Sequence, residues 1–562
     1  MSKLLILTDD DQAGGTANVA RRLAIALATE FEVEFGYNFN AVSETFFSSV
    51  GEEGISIHNS LCRESNAMRS AYRIHEAVDL LDRSQPDVIL FVDAGVINSH
   101  LALKQEAGRR RIPYVSVVNG VPDGVRRLQP TLLSSAIDAM NASAQIVLVS
   151  EANRRKFATL IPEITAPTVT IANSCAASFF EPASEGTRSR VRRALGIAED
   201  EVVVLVSARV EISKGQHLLI EALHRLRQEQ PGAGDRIRLV FAGEGAEAYL
   251  AGIRQTIEEF GLAAHVVLLG YRSDIPDLLA AADIFALPSL MEGMPISILE
   301  AMATGLPVLA TAVDGIPEQV DESTGILVPS PLDDEPACLV GLVPALATLS
   351  SDGGLRRRLG DNGRRKALEK FHPEGNAARY AEQIRSAAAA ASEVAVPPRG
   401  TKQDRDISID FSRPEQAWQV LDDGWSASGR KGTWNDKRIA ALTLVLPAEI
   451  RKPVLIFRAR PAFPDRCRQQ SVRIKINDVF VGAFTLRPRV FRKRWLHLPV
   501  DIGRFGRRIT LTLEFTDMDA AKSEDARRLR LNTLRVEDAN RLATRLALRL
   551  LRRGAPIEPT RV

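Results

Sequence analysis

Two glutamates, Glu292 and Glu300, lie eight positions apart in the segment ADIFALPSLMEGMPISILEAMATGLPVLAT. Carboxylates accept hydrogen bonds from vicinal hydroxyls, as the acids of dinucleotide-binding folds do with a ribose. Between the two glutamates, a predicted helix N-terminus favours a phosphate beside Gly293, Met294 and Ile296, because its first N–H groups are unpaired and carry partial positive charge. The combination suits a sugar nucleotide, although an ordinary βαβ unit with two solvated glutamates fits the spacing equally well.

A second pair of candidate residues, Arg209 and Lys214, brackets a loop in the segment VVVLVSARVEISKGQHLLIEAL. This loop follows a buried strand, so both cations lie at the carboxyl end of that strand. Arginine offers a forked donor and lysine a point charge, which together suit a diphosphate leaving group. A solvated pair of cations is the alternative. Two such cations would stabilise the charge that builds on a departing phosphate, and the sequence shows no convincing D-x-D element.

The elements around the glutamates are predicted from their apolar pattern. We expect a strand at residues 284–287, a helix from Pro295 to Ala303 and a second strand at residues 307–310. Proline suits a first helical position, apolar residues recur at helical spacing, and Gly305 stops the helix. The first glutamate therefore precedes the helix and the second lies within it.

A glycine pair, Gly14 and Gly15, separates an apolar strand at residues 4–8 from an amphipathic helical pattern. Glycine lets a phosphate approach the backbone closely at such a βα turn. A glycine pair alone is more often a simple turn, but its position after the first strand favours a phosphate-binding role.

These motifs together resemble retaining, family 4 type glycosyltransferases of the GT-B fold, also called glycosyl transferases group 1. EGMPISILEAMATGLPV resembles the E-x7-E signature, and the loop with Arg209 and Lys214 resembles the G-R-L-x-x-x-K-G pattern. The resemblance covers roughly residues 1–390. It implies that Glu300 binds the ribose hydroxyls of the donor and that Glu292 faces the transferred sugar. It also implies a metal-independent reaction whose only small-molecule requirement is the nucleotide diphosphate sugar, with no cofactor.

The segment VVLLGYRSDIPDLLAAAD resembles the part of this family that holds the nucleotide base. Tyr271, Arg272 and Ile275 are the base neighbours that this resemblance implies, although Tyr271 suits a core position equally well. The family also carries a glycine loop facing the donor diphosphate, where this chain has Gly14 and Gly15.

The segment PYVSVVNG departs from the family, since many relatives have V-x-T-x-H-G and this chain has Asn119 in place of histidine. Asparagine donates and accepts hydrogen bonds but takes up no proton near neutral pH. Retaining enzymes of this class are thought to use the leaving phosphate as the base, so Asn119 is expected to position the sugar or the acceptor. His75 and His100 are possible substitutes, though a histidine on a helix is more often structural. Asp314 stands where relatives often carry glycine.

Strands and amphipathic helices alternate over the first two thirds of the chain, which predicts parallel sheets covered on both faces. The predicted fold class is therefore α/β, and the family resemblance implies GT-B architecture, in which two Rossmann-like domains face a crevice. The expected divisions are a first domain at 1–180, a nucleotide-sugar domain at 181–391 whose last helix returns to the first domain, a linker at 392–406, an accessory domain at 407–538 and a tail at 539–562.

Beyond residue 406 the apolar pattern alternates, as in SVRIKINDVFVGAF, where Asn477-Asp478 is expected to form a turn between two strands. Several strands of this type predict an antiparallel β-sandwich. The segment GWSASGRKGTWNDKRIAALTLVLP resembles jelly-roll-like domains beside bacterial polysaccharide glycosyltransferases. Aromatic rings stack on sugars, but large aromatics more often build a core. The four tryptophans, all in this region, are Trp418, Trp425, Trp434 and Trp495.

Charge is distributed unevenly along the 562 residues, because residues 401–562 hold 34 Lys and Arg against 19 Asp and Glu. The segment NRLATRLALRLLRR places leucines and arginines on different sides of a helix. This pattern suits a helix that binds an anionic membrane surface, or one that docks on the β-sandwich. No motif indicates binding to nucleic acid. The four cysteines are scattered and the N-terminus does not resemble a signal peptide, so we expect a cytoplasmic protein, peripheral on the inner membrane face.

The sequence therefore predicts a retaining glycosyltransferase that moves a sugar from a nucleotide diphosphate sugar to a glycan or lipid-linked acceptor. Bacterial lipopolysaccharide or exopolysaccharide biosynthesis is the expected setting. Two alternatives stay open: a nucleotide-sugar epimerase of the same fold, and a non-catalytic scaffold that binds glycans or a membrane. The sequence favours an enzyme, because a scaffold has no need of a complete diphosphate site.

Overall fold

The computed structural model describes residues 1–10, 14–59, 74–95, 100–127 and 130–393, together with nine strands between residues 407 and 538. Several predicted features lie outside the described residues. They are most of the linker, Trp418, Trp425, the Asn477-Asp478 turn and the tail at 539–562.

The first domain is built on a seven-stranded parallel sheet in the order β3-β2-β1-β4-β5-β6-β7. The central strands of this sheet are near-continuous apolar runs because helices cover both faces of the sheet. The strands are β1 Lys3–Thr8, β2 Glu32–Tyr37, β3 Ser56–Asn59, β4 Val88–Asp93, β5 Tyr114–Val118, β6 Gln145–Leu148 and β7 Thr168–Thr170. The helices are α1 Gly15–Leu27, α2 Ala41–Glu52, α3 Ile74–Ser84, α4 Leu101–Arg110, α5 Pro130–Asn141 and α6 Glu151–Leu160.

The second domain has a six-stranded parallel sheet in the order β10-β9-β8-β11-β12-β13. The strands are β8 Val202–Ser207, β9 Ile237–Ala242, β10 Val266–Gly270, β11 Ile284–Leu287, β12 Val308–Thr311 and β13 Gly325–Val328. The helices are α7 Thr187–Ala194, α8 Gln216–Glu229, α9 Pro231–Gly234, α10 Glu247–Glu259, α11 Ile275–Ala281, α12 Ile296–Ala303, α13 Ile316–Gln319, α14 Pro331–Ser351, α15 Gly353–Lys370 and α16 Pro373–Glu393. Two Rossmann-like domains are thus present, as predicted.

The helix α12 begins one residue later than its sequence suggests. Pro295 is the N-cap, with an extended ψ of 124°, and Ile296 is the first helical residue. Proline fixes φ but leaves ψ free, and the Pro295 carbonyl accepts a 2.9 Å hydrogen bond from Gln319 Nε2, which holds it outside the helix. The following strand also begins one residue later, at Val308.

A buried arginine fixes the starts of the two central strands, β8 and β11. Arg192 is fully buried and pairs with Asp283, which also accepts a 2.8 Å hydrogen bond from Val203 N. Removing one partner of such a buried pair leaves an uncompensated charge, so the pair fixes the geometry of this region. The loops that follow β8 and β11 therefore leave the sheet from well-defined positions.

The last helix, α16, packs on the first domain. Arg379 Nη2 and Asn376 Nδ2 donate 2.6 Å hydrogen bonds to the carbonyls of Thr170 and Ala172. Arg385 also pairs with Glu30. The chain thus crosses back to the first domain at the end of the second, and this helix joins the two.

The described strands between residues 407 and 538 pair antiparallel in two sheets. One contains β14 Ile407–Asp410, β15 Thr433–Trp434, β17 Pro453–Pro461, β20 Arg494–His497 and β22 Leu529–Asp538. The other contains β16 Ile439–Val445, β18 Gln470–Ile476, β19 Val479–Leu486 and β21 Arg508–Thr516. The jelly-roll-like sandwich itself stays a prediction.

No single helix among residues 1–10, 14–59, 74–95, 100–127 and 130–393 is long and apolar enough to cross a membrane. The bent pair Pro331–Ser351 and Gly353–Ala390 passes such a test together, on length and composition alone.

Candidate functional site

The loops after β8 and β11 lie side by side at the point where the strand order of the second sheet reverses. Ligands of open α/β sheets bind outside such a switch point, at the carboxyl ends of the strands. Leu290 N donates a 2.8 Å hydrogen bond to Ser213 O and joins the two loops. Gly215 has a φ of +69°, and a Cβ there would lie 2.0 Å from Pro288 O. Only glycine allows this approach.

An ion pair at this switch point joins two of the predicted site residues. Lys214 Nζ lies 2.7 Å from Glu292 Oε1, and Ser289 Oγ donates to the same oxygen at 2.7 Å. The Glu292 side chain is only 9% exposed, and its Oε2 has no partner within the described part of the chain. The structure therefore brings together two residues that are 78 positions apart in the sequence.

Arg209 lies on the same loop as Lys214 but is much more exposed. Its side chain is 61% exposed, and its Nη1 lies 3.2 Å from Glu211 Oε2. An exposed ion pair of this kind is weak, so the guanidinium can turn towards an anionic ligand. The two predicted cations thus differ, because Lys214 is held in place and Arg209 is not.

Glu300, on α12, faces the first domain across the crevice. Burial raises its pKa to about 7, while the nearby charges of Arg22 and Arg21 act to lower it. Both arginines lie on α1, and Arg22 Nη2 donates a 2.6 Å hydrogen bond to Ser174 O. Sequence reasoning did not select these arginines. Their position about two helical turns after the glycine pair is the signal that could have found them.

The pKa of Glu300 predicts a pH-dependent effect on stability. Its folded pKa of about 7 exceeds the ordinary value of 4.5, so the wild type loses stability as the pH rises through this interval. Glu300→Gln removes the titration. We expect the unfolding free energy of the variant, relative to wild type, to increase by on the order of 2 kcal/mol between pH 5 and pH 8 in urea titrations.

Glu369→Gln is the matched control for this measurement, because Glu369 is an exposed glutamate in the same domain. The unfolding free energy of this variant should differ from that of the wild type by the same amount at pH 5 and pH 8. A Glu300→Gln difference that is equally independent of pH would contradict the raised pKa.

Asn119 follows β5, and its side chain is bound to the backbone. Asn119 N and Nδ2 each donate to Asp93 O at 3.1 Å. The second domain approaches at the same point, since a Cβ on Gly293 would lie 1.7 Å from Asn119 O. Asn119 therefore lies where the domains meet, next to the loop that carries Glu292.

His100 lies in a buried charged cluster beneath Asn119. Its Nδ1 is 2.6 Å from Asp93 Oδ1, and Lys104 Nζ is 2.6 Å from Asp93 Oδ2. Burial opposes ionisation of Asp93, but Lys104 and His100 outweigh it and lower the pKa. Asp9, also buried, has a pKa raised to about 7 by burial and by Asp93. This burial indicates a structural role for His100. The side chain of His75 is not among those that the structure describes.

The glycine turn after β1 is close to a carboxylate. Asp10 Oδ2 accepts a 3.1 Å hydrogen bond from Ala17 N, in the first turn of α1. A Cβ on Gly14 would lie 2.5 Å from the same oxygen, whereas one on Gly15 would meet nothing within 4 Å. The turn thus places Asp10 at the helix N-terminus, where a donor phosphate was expected.

The remaining predicted donor-binding residues fall into two groups. Tyr271 is 59% exposed, and Arg272, beside it, pairs with both oxygens of Asp274 at 2.7 and 2.5 Å. Ile275 is partly buried at the start of α11. By contrast, Met294 and Ile296 are buried.

Met294 belongs to the contact between the domains. Asn173 Nδ2 donates a 2.9 Å hydrogen bond to Met294 O, and Asn173 N lies 3.2 Å from the Met294 sulfur. The backbone at Met294 is therefore used to join the domains. Across the residues that the structure describes, no group of three His, Cys, Asp or Glu side chains could hold a metal ion.

Residues 187–366 match the family model described as "Glycosyl transferases group 1". The chain is 31% identical over 197 residues to the D-inositol 3-phosphate glycosyltransferase of Jonesia denitrificans, covering 34% of this chain and 45% of the relative. It is 30% identical over 184 residues to the lipopolysaccharide core biosynthesis mannosyltransferase LpsB of Rhizobium meliloti, covering 31% and 51%. The chain thus spans about half the length of these curated relatives.

A solved structure supports the same fold assignment. Anabaena Alr3699/HepE in complex with UDP-glucose superimposes with a TM-score of 0.57 and 22% identity, covering 69% of this chain and 100% of that one. At this identity the likeness shows the fold alone. The chain therefore has the GT-B fold and contains a glycosyl transferases group 1 domain.

Proposed function

We propose that this protein is a retaining glycosyltransferase that moves a hexose from a nucleotide diphosphate sugar to a glycan or lipid-linked acceptor. The observation that carries the proposal is the Lys214–Glu292 pair, 2.7 Å apart at the switch point of the second sheet. A cation there meets the negative charge that builds on the leaving diphosphate, and Glu292 lies beside it to contact the sugar.

In the proposed reaction the bond from the anomeric carbon to the diphosphate oxygen breaks, and a bond to an acceptor oxygen forms on the same face. The electron pair of the broken bond stays on the diphosphate, whose oxygen takes the proton of the acceptor hydroxyl. Lys214 and Arg209 stabilise that charge, so no metal or other cofactor is required. Glu300 holds the ribose hydroxyls, while Tyr271 and Arg272 lie beside the base.

The proposed setting is bacterial surface polysaccharide biosynthesis in the cytoplasm, peripheral on the inner membrane face. It is supported by the Rhizobium meliloti relative, which is named as a lipopolysaccharide core biosynthesis mannosyltransferase. The excess of 34 Lys and Arg over 19 Asp and Glu beyond residue 400 supports attraction to an anionic surface.

The donor site can be tested by thermal unfolding with UDP-, GDP- and ADP-linked sugars. A donor at a hundred times its dissociation constant adds about 2.7 kcal/mol to the unfolding free energy. We expect stabilisation by one nucleotide family, and its loss in Arg209→Ala plus Lys214→Ala. Arg254→Ala is the control, because it removes an exposed ion pair with Glu247 on α10 of the same domain.

Two outcomes would contradict the proposal. A folded wild type that no nucleotide sugar stabilises would favour a glycan- or membrane-binding scaffold. Conversion of a bound donor to its epimer, without transfer to any acceptor, would favour an epimerase.

A further inference from the structure

Asp314, where the family pattern often has glycine, adopts a backbone conformation that favours glycine. Its φ is +43°, in the left-handed region. Aspartate and asparagine tolerate this region better than other side chains, because their short polar groups bond locally. The chain therefore keeps the glycine-like backbone and adds a carboxylate.

That carboxylate joins the two domains at the loop carrying Glu292. Asp314 Oδ2 accepts a 2.8 Å hydrogen bond from Glu292 N. Asp314 Oδ1 lies 3.3 Å from Lys156 Nζ, on α6 of the first domain. Lys156 also lies 3.0 Å from Asp123 Oδ1. One side chain thus bonds the backbone of a proposed site residue and a cation of the opposite domain.

Helix α6 of the first domain, which carries Lys156, is held against the second domain. Glu318 accepts hydrogen bonds from Glu151 N at 3.0 Å and Ala152 N at 2.8 Å, and so caps the N-terminus of α6 from the second domain. A carboxylate at this position is favoured by the helix dipole. Since Lys156 lies on the same helix, its approach to Asp314 is fixed by this contact.

Both members of the interdomain pair are largely removed from water, with side chains 22% and 14% exposed. Burial acts to lower the pKa of Lys156, but Asp123 and Asp314 outweigh it and raise the pKa. The lysine is thus charged over the whole ordinary pH range. Such a pair is screened less by salt than a surface pair.

We propose that Lys156 and Asp314 are positioning residues that couple the approach of the first domain to the placement of Glu292. The inference rests on the proposed glycosyl transfer. The Glu292 carboxylate is held through Oε1 by Lys214 and Ser289, and its backbone is held by Asp314. When the domains separate, Asp314 loses Lys156, and the loop loses the contact that fixes Asp314.

The test compares Lys156→Met, Asp314→Asn and their combination. Lys156→Met removes the ion pairs with Asp314 and Asp123 and leaves the bond from Glu292 N to Asp314. Asp314→Asn keeps an acceptor for that bond and tolerates the left-handed backbone. With the nucleotide sugar that stabilises the wild type as substrate, we expect kcat about ten-fold lower and donor KM within about two-fold, because misplacement of a site residue affects turnover. Lys156→Arg should restore most of the turnover.

Coupling also predicts that kcat of the double variant is no lower than kcat of the more affected single variant, since both changes break the same Lys156–Asp314 ion pair. Lys366→Met is the matched control, because Lys366 lies 2.6 Å from Asp321 within the second domain. It should leave kcat and KM unchanged. Wild-type kcat in Lys156→Met, or additive effects in the double variant, would overturn the proposal.

A second readout does not depend on the reaction. Hydrogen–deuterium exchange of a peptide spanning residues 288–295 should be faster in Lys156→Met than in wild type and Lys366→Met. If no nucleotide sugar is turned over, the proposed function fails, but faster exchange still supports the coupling. Unchanged exchange in Lys156→Met overturns the coupling even if the enzyme is active.

Discussion

Replacement of Lys214 by alanine is expected to lower turnover by about two to three orders of magnitude, because a donor aimed at developing charge in a protected site contributes that much. Lys214 is held in place, with its Nζ 2.7 Å from Glu292 Oε1. Among the residues that the structure describes, its loss also leaves Glu292 with Ser289 as the remaining side-chain donor. Steady-state kinetics with the stabilising nucleotide sugar would measure the change in kcat and KM.

Arg254→Ala is again the control, since it deletes a cation from an exposed pair in the same domain. It should keep kcat and KM. The contrary outcome is that the Lys214→Ala variant unfolds like the wild type in urea and yet retains more than a tenth of the wild-type turnover. That result would show that Lys214 does not stabilise the charge on the leaving group.

The sequence predicted the elements that carry Lys214 and Glu292, because each follows a buried apolar strand. Their contact could not be derived from spacing. It depends on β8 and β11 being neighbours in the sheet, and on Gly215 letting the loop of one strand approach Pro288 O. Sheet order is a long-range property that one-dimensional patterns do not contain. The family resemblance supplied this juxtaposition instead.

Contacts between the domains were the least predictable part of the site. Met294 was predicted to lie beside a donor phosphate, which stays a prediction, and the hydrogen bond that its carbonyl accepts from Asn173 was not predicted. Arg21 and Arg22 face Glu300 from α1, although the helical pattern showed only which residues of α1 are apolar. Asp314 was noted as a departure from glycine, and its pairing with Lys156 of the first domain emerged only from the structure. Each of these contacts depends on how the two domains meet.

Gly293→Ala is expected to lower turnover more than about a hundred-fold, because it keeps the domains from reaching their observed approach. An added Cβ would lie 1.7 Å from Asn119 O and 3.3 Å from Val149 Cγ2. Such a backbone contact cannot be relieved by a side-chain rotation, and an ångström of misplacement can cost a hundred-fold. The kinetics should be measured together with the radius of gyration by small-angle X-ray scattering, which should increase.

Gly252→Ala makes the same substitution in the same domain at a position where a Cβ would meet nothing within 4 Å. It lies in α10, where alanine is favoured over glycine by about 1 kcal/mol, so turnover should stay at wild-type level. Neither variant changes a glycine with positive φ, which leaves the contact with Asn119 as the difference between them. If Gly293→Ala retained turnover within about three-fold, the observed approach of the two domains would not be the one in which transfer occurs.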